Sequence, residues 1–272
     1  MQPGSTFPHL LLFDIGNTSI KVGLADAARI IASYTLRTDA GQTSDSLGLT
    51  LTTLLLHAGV RPHEVSACVC SSVVPAMTPL LRDACRRFMG SALLQVPQDI
   101  PVPLENHYNH PKEVGADRLV GAYAARQLCP EPASLVVVDF GTATTLDCIT
   151  GHAYLGGLIF PGVHTAAAAL STNAAKLPRV DLEVADAEPA PGRDTVSSIQ
   201  HGILFGFACM VEGLTARLAR QLPPPARILA TGGFAPQIAR VTPCFDQVLP
   251  DLLLDGLRQL YVAHTDKPSA QE

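Results

Sequence analysis

The sequence predicts an α/β protein of two similar lobes, each a mixed sheet flanked by helices. Three observations lead there. The stretch LVVVDFGTATT (135–145) runs four apolar residues into an aspartate, then a glycine among small residues and hydroxyls; LLLFDIGNTSI (10–20) has the same order. Around each stretch the short apolar runs and helical periodicities follow one plan, β-β-β-α-β-α-β-α, with an additional helix in the second copy. Finally, 47% of the 272 residues are apolar and 16% charged, which suits well-packed cores rather than disorder.

In the first half the pattern predicts strands at about 9–14, 18–25 and 29–36, the last two joined by the turn ADAAR. A helix at about 43–58 opens on Thr43 or Ser44 as cap. There follow a strand at 66–73, a helix from Pro75 to about 89, a strand at 92–96 and a helix at about 117–128. Pro75 suits a first helical position, where a missing N–H does no harm. The second half predicts strands at 134–140, 143–150 and 153–160, and helices at 162–173 and 194–221. A strand at 226–231, a helix from 234, a short strand near 246–249 and a helix at 251–263 complete it. CPEPAS (129–134) marks the expected boundary, giving lobes 9–128 and 129–264 with 265–272 as a frayed tail. The Pro-rich AEPAPGRD (187–194) reads as a loop inside the second lobe.

The formal charge of −5 and the lack of a Lys/Arg run argue against a nucleic-acid surface. Seven cysteines, without a CxxC, suit reduced buried thiols, Cys68 and Cys70 among them, and a cytoplasmic location. The start MQPGSTFPHLLLF lacks a basic segment and a long apolar run, so no signal peptide is expected. No stretch is expected to approach the roughly 20 residues that span a bilayer.

The two Asp-Gly turns carry the chemistry. Glycine after a strand lets a ligand approach the main chain, whose N–H groups, with Asn and Thr side chains, suit phosphate oxygens. A carboxylate facing phosphates is explained by a cation or its water between them. Two such turns facing each other across a cleft would clamp a polyphosphate, as phosphoryl transfer requires. ARILATGGFA (226–235) adds a strand ending in Thr231-Gly232-Gly233, open to an adenosine or to a plain helix entry. Neither GxxxxGK[ST] nor GxGxxG occurs.

Six segments together resemble the type III pantothenate kinase family, within the superfamily of actin, sugar kinases and acetate kinases. They are DIGNTSIK (14–21), HPKEVGADR (110–118), DFGTATT (139–145), GGLIFPGV (156–163), GRDTVSSIQHGI (192–203) and ATGG (230–233). The resemblance implies two RNase H-like lobes with the nucleotide site in the cleft between them, a homodimer, and ATP-dependent phosphorylation of pantothenate. It places the ATP phosphates along Asp14, Ile15, Gly16, Asn17, Thr18, Ser19, Ile20 and Lys21, with Asp14 near Mg2+. Lys21 alternatively reads as a solvated charge. Thr142 becomes an ATP contact, and Asp139 the ligand of a monovalent cation, K+ or NH4+. Asp117 becomes the base acting on the pantothenate hydroxyl, although by itself it equally suits a helix cap. Gly115, Ala116, Arg118, Tyr108 and Thr195 become pantothenate contacts; a salt bridge is the alternative for Arg118 and a helix start for Thr195. Asp194 stands where the family commonly has Asn. A non-catalytic nucleotide-binding regulator of the same fold is the competing reading, and intact Asp14, Asp117 and Asp139 favour the enzyme.

Overall fold

The computed structural model describes residues 9–174, 176–183 and 187–266. Its first elements are β1 (His9–Ile15), β2 (Ser19–Ala25), β3 (Ile30–Arg37), α1 (Ser44–His57), β4 (Val65–Ser72), α2 (Met77–Ala84), β5 (Leu93–Val96), β6 (Glu105–Asn106) and α3 (Ala116–Leu128). Then come β7 (Ser134–Phe140), β8 (Ala143–Thr150), β9 (Ala153–Pro161), α4 (Val163–Asn173), α5 (Thr195–Ala219), β10 (Ala226–Thr231), α6 (Ala235–Ala239), β11 (Gln247–Val248) and α7 (Leu252–Thr265). The predicted strands and long helices are all present, and the chain folds as two mixed α/β sheets flanked by helices.

One compact unit comprises residues up to 103 together with 112–124 and the segment from Asp251. Its sheet runs β3-β2-β1-β4-β5, antiparallel between β1, β2 and β3, and parallel from β1 through β4 to β5. Strand alternation sends Leu11, Phe13 and Ile15 into a core with Leu47, Leu51 and Leu55 of α1 and Met77 and Leu81 of α2. The three α1 leucines are four residues apart, one stripe of a helix. The other face of the sheet takes α7, whose Leu254 lies so near Gly23 that a Cβ there would stand 3.1 Å from it. Helix α7 also meets α3 closely, at Gly256 against Val120 and Ala124.

The second unit holds residues 104–111 and 125–250, with strand order β11-β10-β7-β8-β9-β6. Strands β7, β8 and β9 are antiparallel; β10 joins β7, β11 joins β10 and β6 joins β9 in parallel. Val136, Val138 and Phe140 pack with Leu204, Phe207 and Val211 of α5. The chain therefore does not divide in sequence order as expected at 128/129. Helix α7 groups with the first unit, and the short strand β6, which has no apolar alternation to betray it, groups with the second.

Several local expectations need correction. Pro75 precedes α2 rather than opening it, because Ser72 and Val74 form a turn (Val74 N–H to Ser72 Oγ, 3.2 Å) that delays the helix to Met77. That helix ends at Ala84, and Cys85–Met89 widens into a π-turn stopped by Gly90 at φ 71°. Helix α5 ends at Ala219, two residues before the predicted end, and α7 continues to Thr265. Of the segment read as a tail, 267–272 lies outside the described residues. The expectation that no stretch reaches bilayer length is also corrected: α5 is long and apolar enough by composition, yet it packs on β7 and β10 in the second core. Cys68 and Cys70 are buried and free of disulfides, as read.

Candidate functional site

In the first unit the chemistry begins where β1 turns into β2. Asp14 pairs directly with Lys21 across the antiparallel ladder and with Ser71 on β4. Directly opposed residues share a face, so Lys21 and Asp14 project from the same side of the sheet. Alternation puts them on the face covered by α7, away from the core with α1 and α2. The turn is fixed from both sides: Gly16 N–H donates to Ser19 O (3.0 Å), and Thr38 donates through Oγ1 to Gly16 O (2.7 Å) and through N–H to Thr18 O (3.0 Å). Asn17 and Thr18 are exposed at its tip. Ile15 and Ile20 are 1% and 2% exposed, so of these two only the main chain is open to a ligand, and the Ile15 carbonyl already accepts from Val73 N–H (3.0 Å).

Asp117 stands in the first turn of α3, inside the helix rather than at the residue before it. Its Oδ1 accepts the Arg118 N–H (2.9 Å), while Oδ2 has no hydrogen-bond partner among the described residues. A Cβ at Gly115 would collide with Oδ1 and lie 3.7 Å from Val73 Cγ1. Glycine there is what lets the carboxylate fold back over the helix start. One oxygen thus serves the helix and the other is left for chemistry. Ala116 and Arg118 beside it are half-buried.

In the second unit Asp139 pairs with Thr145 on β8 and Thr231 on β10. Gly232, at φ 91°, lays its main chain against this group; a Cβ there would strike Asp139 Oδ1 and come within 2.6 Å of Phe140 N. Thr231 is fully buried and its Oγ1 has no hydrogen-bond partner among the described residues. A carboxylate beside a spare buried hydroxyl, both hard oxygen donors, fits a cation of low charge. Thr142 is exposed at the β7–β8 turn, and its carbonyl accepts from Gly162 N–H (3.1 Å) and Thr165 Oγ1 (2.8 Å), tying the start of α4 to the turn.

Tyr108 follows β6 and donates its N–H to Asn106 Oδ1 (3.0 Å). Its ring covers Gly156, where a Cβ would sit 3.2 Å from Cδ2 and Cε2, and lies 6.5 Å from the ring of Tyr154. Tyr154, fully buried, donates to Asp147 Oδ1 (2.8 Å), and Thr145 Oγ1 donates to Asp147 Oδ2 (3.1 Å). The sequence reading missed this buried carboxylate; its only signal is one acid in the otherwise apolar LDCI of β8. Thr195 opens α5 behind its cap Asp194, whose Oδ1 accepts Ser197 N–H (2.9 Å). That bond, with the Ser197 hydroxyl, holds the Asp194 carboxyl below its ordinary range. Thr195 lines an open cleft of about 580 Å³ with Leu170, Arg193, Ser198 and Ile199.

A sequence profile described as type III pantothenate kinase matches residues 10–217. The type III pantothenate kinase of Desulfovibrio desulfuricans is 67% identical over 254 residues, covering 93% of this chain and 97% of that protein. Its counterpart from Lawsonia intracellularis is 48% identical, covering 93% and 95%. Two solved structures share the fold at low identity. One, from Campylobacter jejuni, is titled as of a Baf family transcriptional activator (TM-score 0.58, 18% identity, 94% of this chain and 99% of that one). The other is the ethanolamine utilization protein EutJ from Carboxydothermus hydrogenoformans (TM-score 0.54, 14% identity, 96% and 91%). With a profile match over most of its length and relatives of this identity, the chain belongs to the type III pantothenate kinase family.

Proposed function

We infer that the protein transfers the γ-phosphoryl group of ATP to pantothenate, giving 4′-phosphopantothenate and ADP, the first step of coenzyme A biosynthesis. The observation that carries this reading is the posture of Asp117, one oxygen anchored on α3 and the other open beside Gly115. In the reaction the pantothenate hydroxyl oxygen bonds to the γ-phosphorus, the bond from that phosphorus to the β,γ-bridging oxygen breaks, and the hydroxyl proton passes to Asp117 Oδ2. The transfer is governed by positioning and charge neutralisation, so Asp117 acts mainly by orienting the hydroxyl, with proton transfer late.

The remaining roles are assigned from residue chemistry. Main-chain N–H groups and the exposed side chains of Asn17 and Thr18 hold phosphate oxygens, with Gly16 and Ser19 shaping the turn and Lys21 adding positive charge. Mg2+ would be held through Asp14, directly or by its water, and supplies neutralisation of phosphate charge. K+ or NH4+ would be held at Asp139 with Thr231. Thr142 meets ATP. Arg118 presents a guanidinium suited to the pantothenate carboxylate, and Tyr108, Gly115, Ala116 and Thr195 shape the pantothenate site. The nucleotide-binding lobes correspond to the two compact units, and the enzyme works in the cytoplasm. A homodimer is supported by α5, where Gly202, Gly206, Cys209 and Gly213 form an exposed stripe at helical spacing, with nothing within 4 Å of a Cβ built on any of the three glycines.

The test is ADP formation by the purified protein with ATP, Mg2+ and pantothenate, in potassium and in sodium. Turnover that requires pantothenate and prefers potassium is expected. Nucleotide binding without pantothenate-dependent ADP in either salt would overturn the reading in favour of a nucleotide-binding regulator.

A further inference from the structure

We propose that the first unit carries a second binding site, for a small oxyanion, in the cavity between α2 and the C-terminal ends of β4 and β5. The cavity has a volume of about 330 Å³ and is lined by Cys70, Ser72, Thr78, Arg82, Gln95 and Gln98, with Pro75, Pro79 and Val96 closing it. Of its polar side chains, Ser72 is engaged in the turn with Val74, whereas Thr78 and Arg82 have no hydrogen-bond partner among the described residues. Arg82 makes no ion pair or hydrogen bond among the described residues, whereas the next two arginines are engaged, Arg86 with Asp83 at 3.0 Å and Arg87 with Asp45.

Thr78 is only 9% exposed and its hydroxyl has no hydrogen-bond partner among the described residues. No side chain caps α2; Met77 N–H goes to Val74 O (3.0 Å) and Pro79 has none, which leaves the Thr78 N–H at the start of the helix bordering the cavity. At the floor, burial pushes the Cys70 thiol up to about 12, so it stays neutral. The Asp99 carboxylate acts on Cys70 against Arg82, but its Oδ2 is already occupied by Gln95 N–H (2.8 Å).

The exposed Arg82 guanidinium, the Thr78 hydroxyl and the start of α2 suit a carboxylate or phosphate group, and the two glutamine carboxamides suit a polar remainder. This site is not the phosphate turn. Asp14 pairs with Ser71, and the alternation of β4 places Cys70 and Ser72 on the opposite face of the sheet, towards α1 and α2.

Isothermal titration calorimetry with inorganic phosphate and, separately, acetate tests the proposal. The protein is first saturated with a non-hydrolysable ATP analogue, Mg2+ and pantothenate. Saturable binding of at least one anion is expected, weakened at least about tenfold in Arg82→Gln, several-fold in Thr78→Val, and unchanged in Arg86→Gln. Which anion binds identifies the group the cavity takes. No saturable binding to the native protein, or equal binding by Arg82→Gln, would overturn the proposal.

Discussion

At the residue scale, the glycines record how closely main chain and functional groups approach. Gly232 is constrained twice over, since its φ of 91° disfavours any side chain and a methyl group would meet the Asp139 carboxylate. Gly232→Ala is expected to cost on the order of 1–3 kcal/mol, read as a lower Tm, and to raise KM for ATP. Residues such as Asp14, Gly16 and Asp139 were legible because a strand running into Asp-x-Gly is a local pattern, present twice. The pairing of Lys21 with Asp14 follows from strand register, which the sequence did not disclose. Asp147 was illegible: its burial depends on Tyr154 and Thr145, contacts that alternation alone does not disclose. The side chains of Ile15 and Ile20 belong to the core, so a motif that includes them marks a backbone contribution only.

Among the elements, α5 shows how a cap and a site share a few residues. In a capping box Asp194 Oδ1 accepts the Ser197 N–H and the Asp194 N–H donates to Ser197 Oγ, and Thr195 follows at the mouth of the cleft. Because the folded Asp194 carboxyl is held below its ordinary value of 3.8, its stabilising contribution is complete above that value and fades as the pH falls through the depressed one. Thermal melts of Asp194→Ala against the native protein should differ at neutral pH, and the gap should close as the pH falls through the depressed value. A gap independent of pH would refute the assignment to the ionised cap. The strands and α1, α4 and α5 were legible from periodicity and caps; the end of α2 was not. Its apolar spacing continues through Cys85–Met89, and the backbone widens into a π-turn that retains the same buried residues, Cys85 and Met89.

For the whole molecule, the repeated β-β-β-α plan was legible because each copy spells its strands and its turn in the same order. The exchange of segments was not. Helix α7 returns to the first unit and residues 104–111 join the second, and such crossovers have no local signature; they are decided by which sheet face or edge is left uncovered. At this scale the exposed glycine stripe of α5 makes an assembly prediction. The native protein should sediment as a dimer, and Gly206→Glu, which places a charge in the stripe, should sediment as a monomer with its melting temperature little changed by the surface substitution itself. Sedimentation velocity distinguishes the two.

The central claim is that Asp117 holds the acceptor hydroxyl with the oxygen its helix leaves open. Steady-state kinetics of Asp117→Asn, which preserves size and the bond to the Arg118 N–H, test it most directly alongside ATP affinity measured separately. The account predicts kcat lower by about 10²–10⁴ with ATP affinity unchanged. A variant that turns over pantothenate at close to the native rate would contradict it.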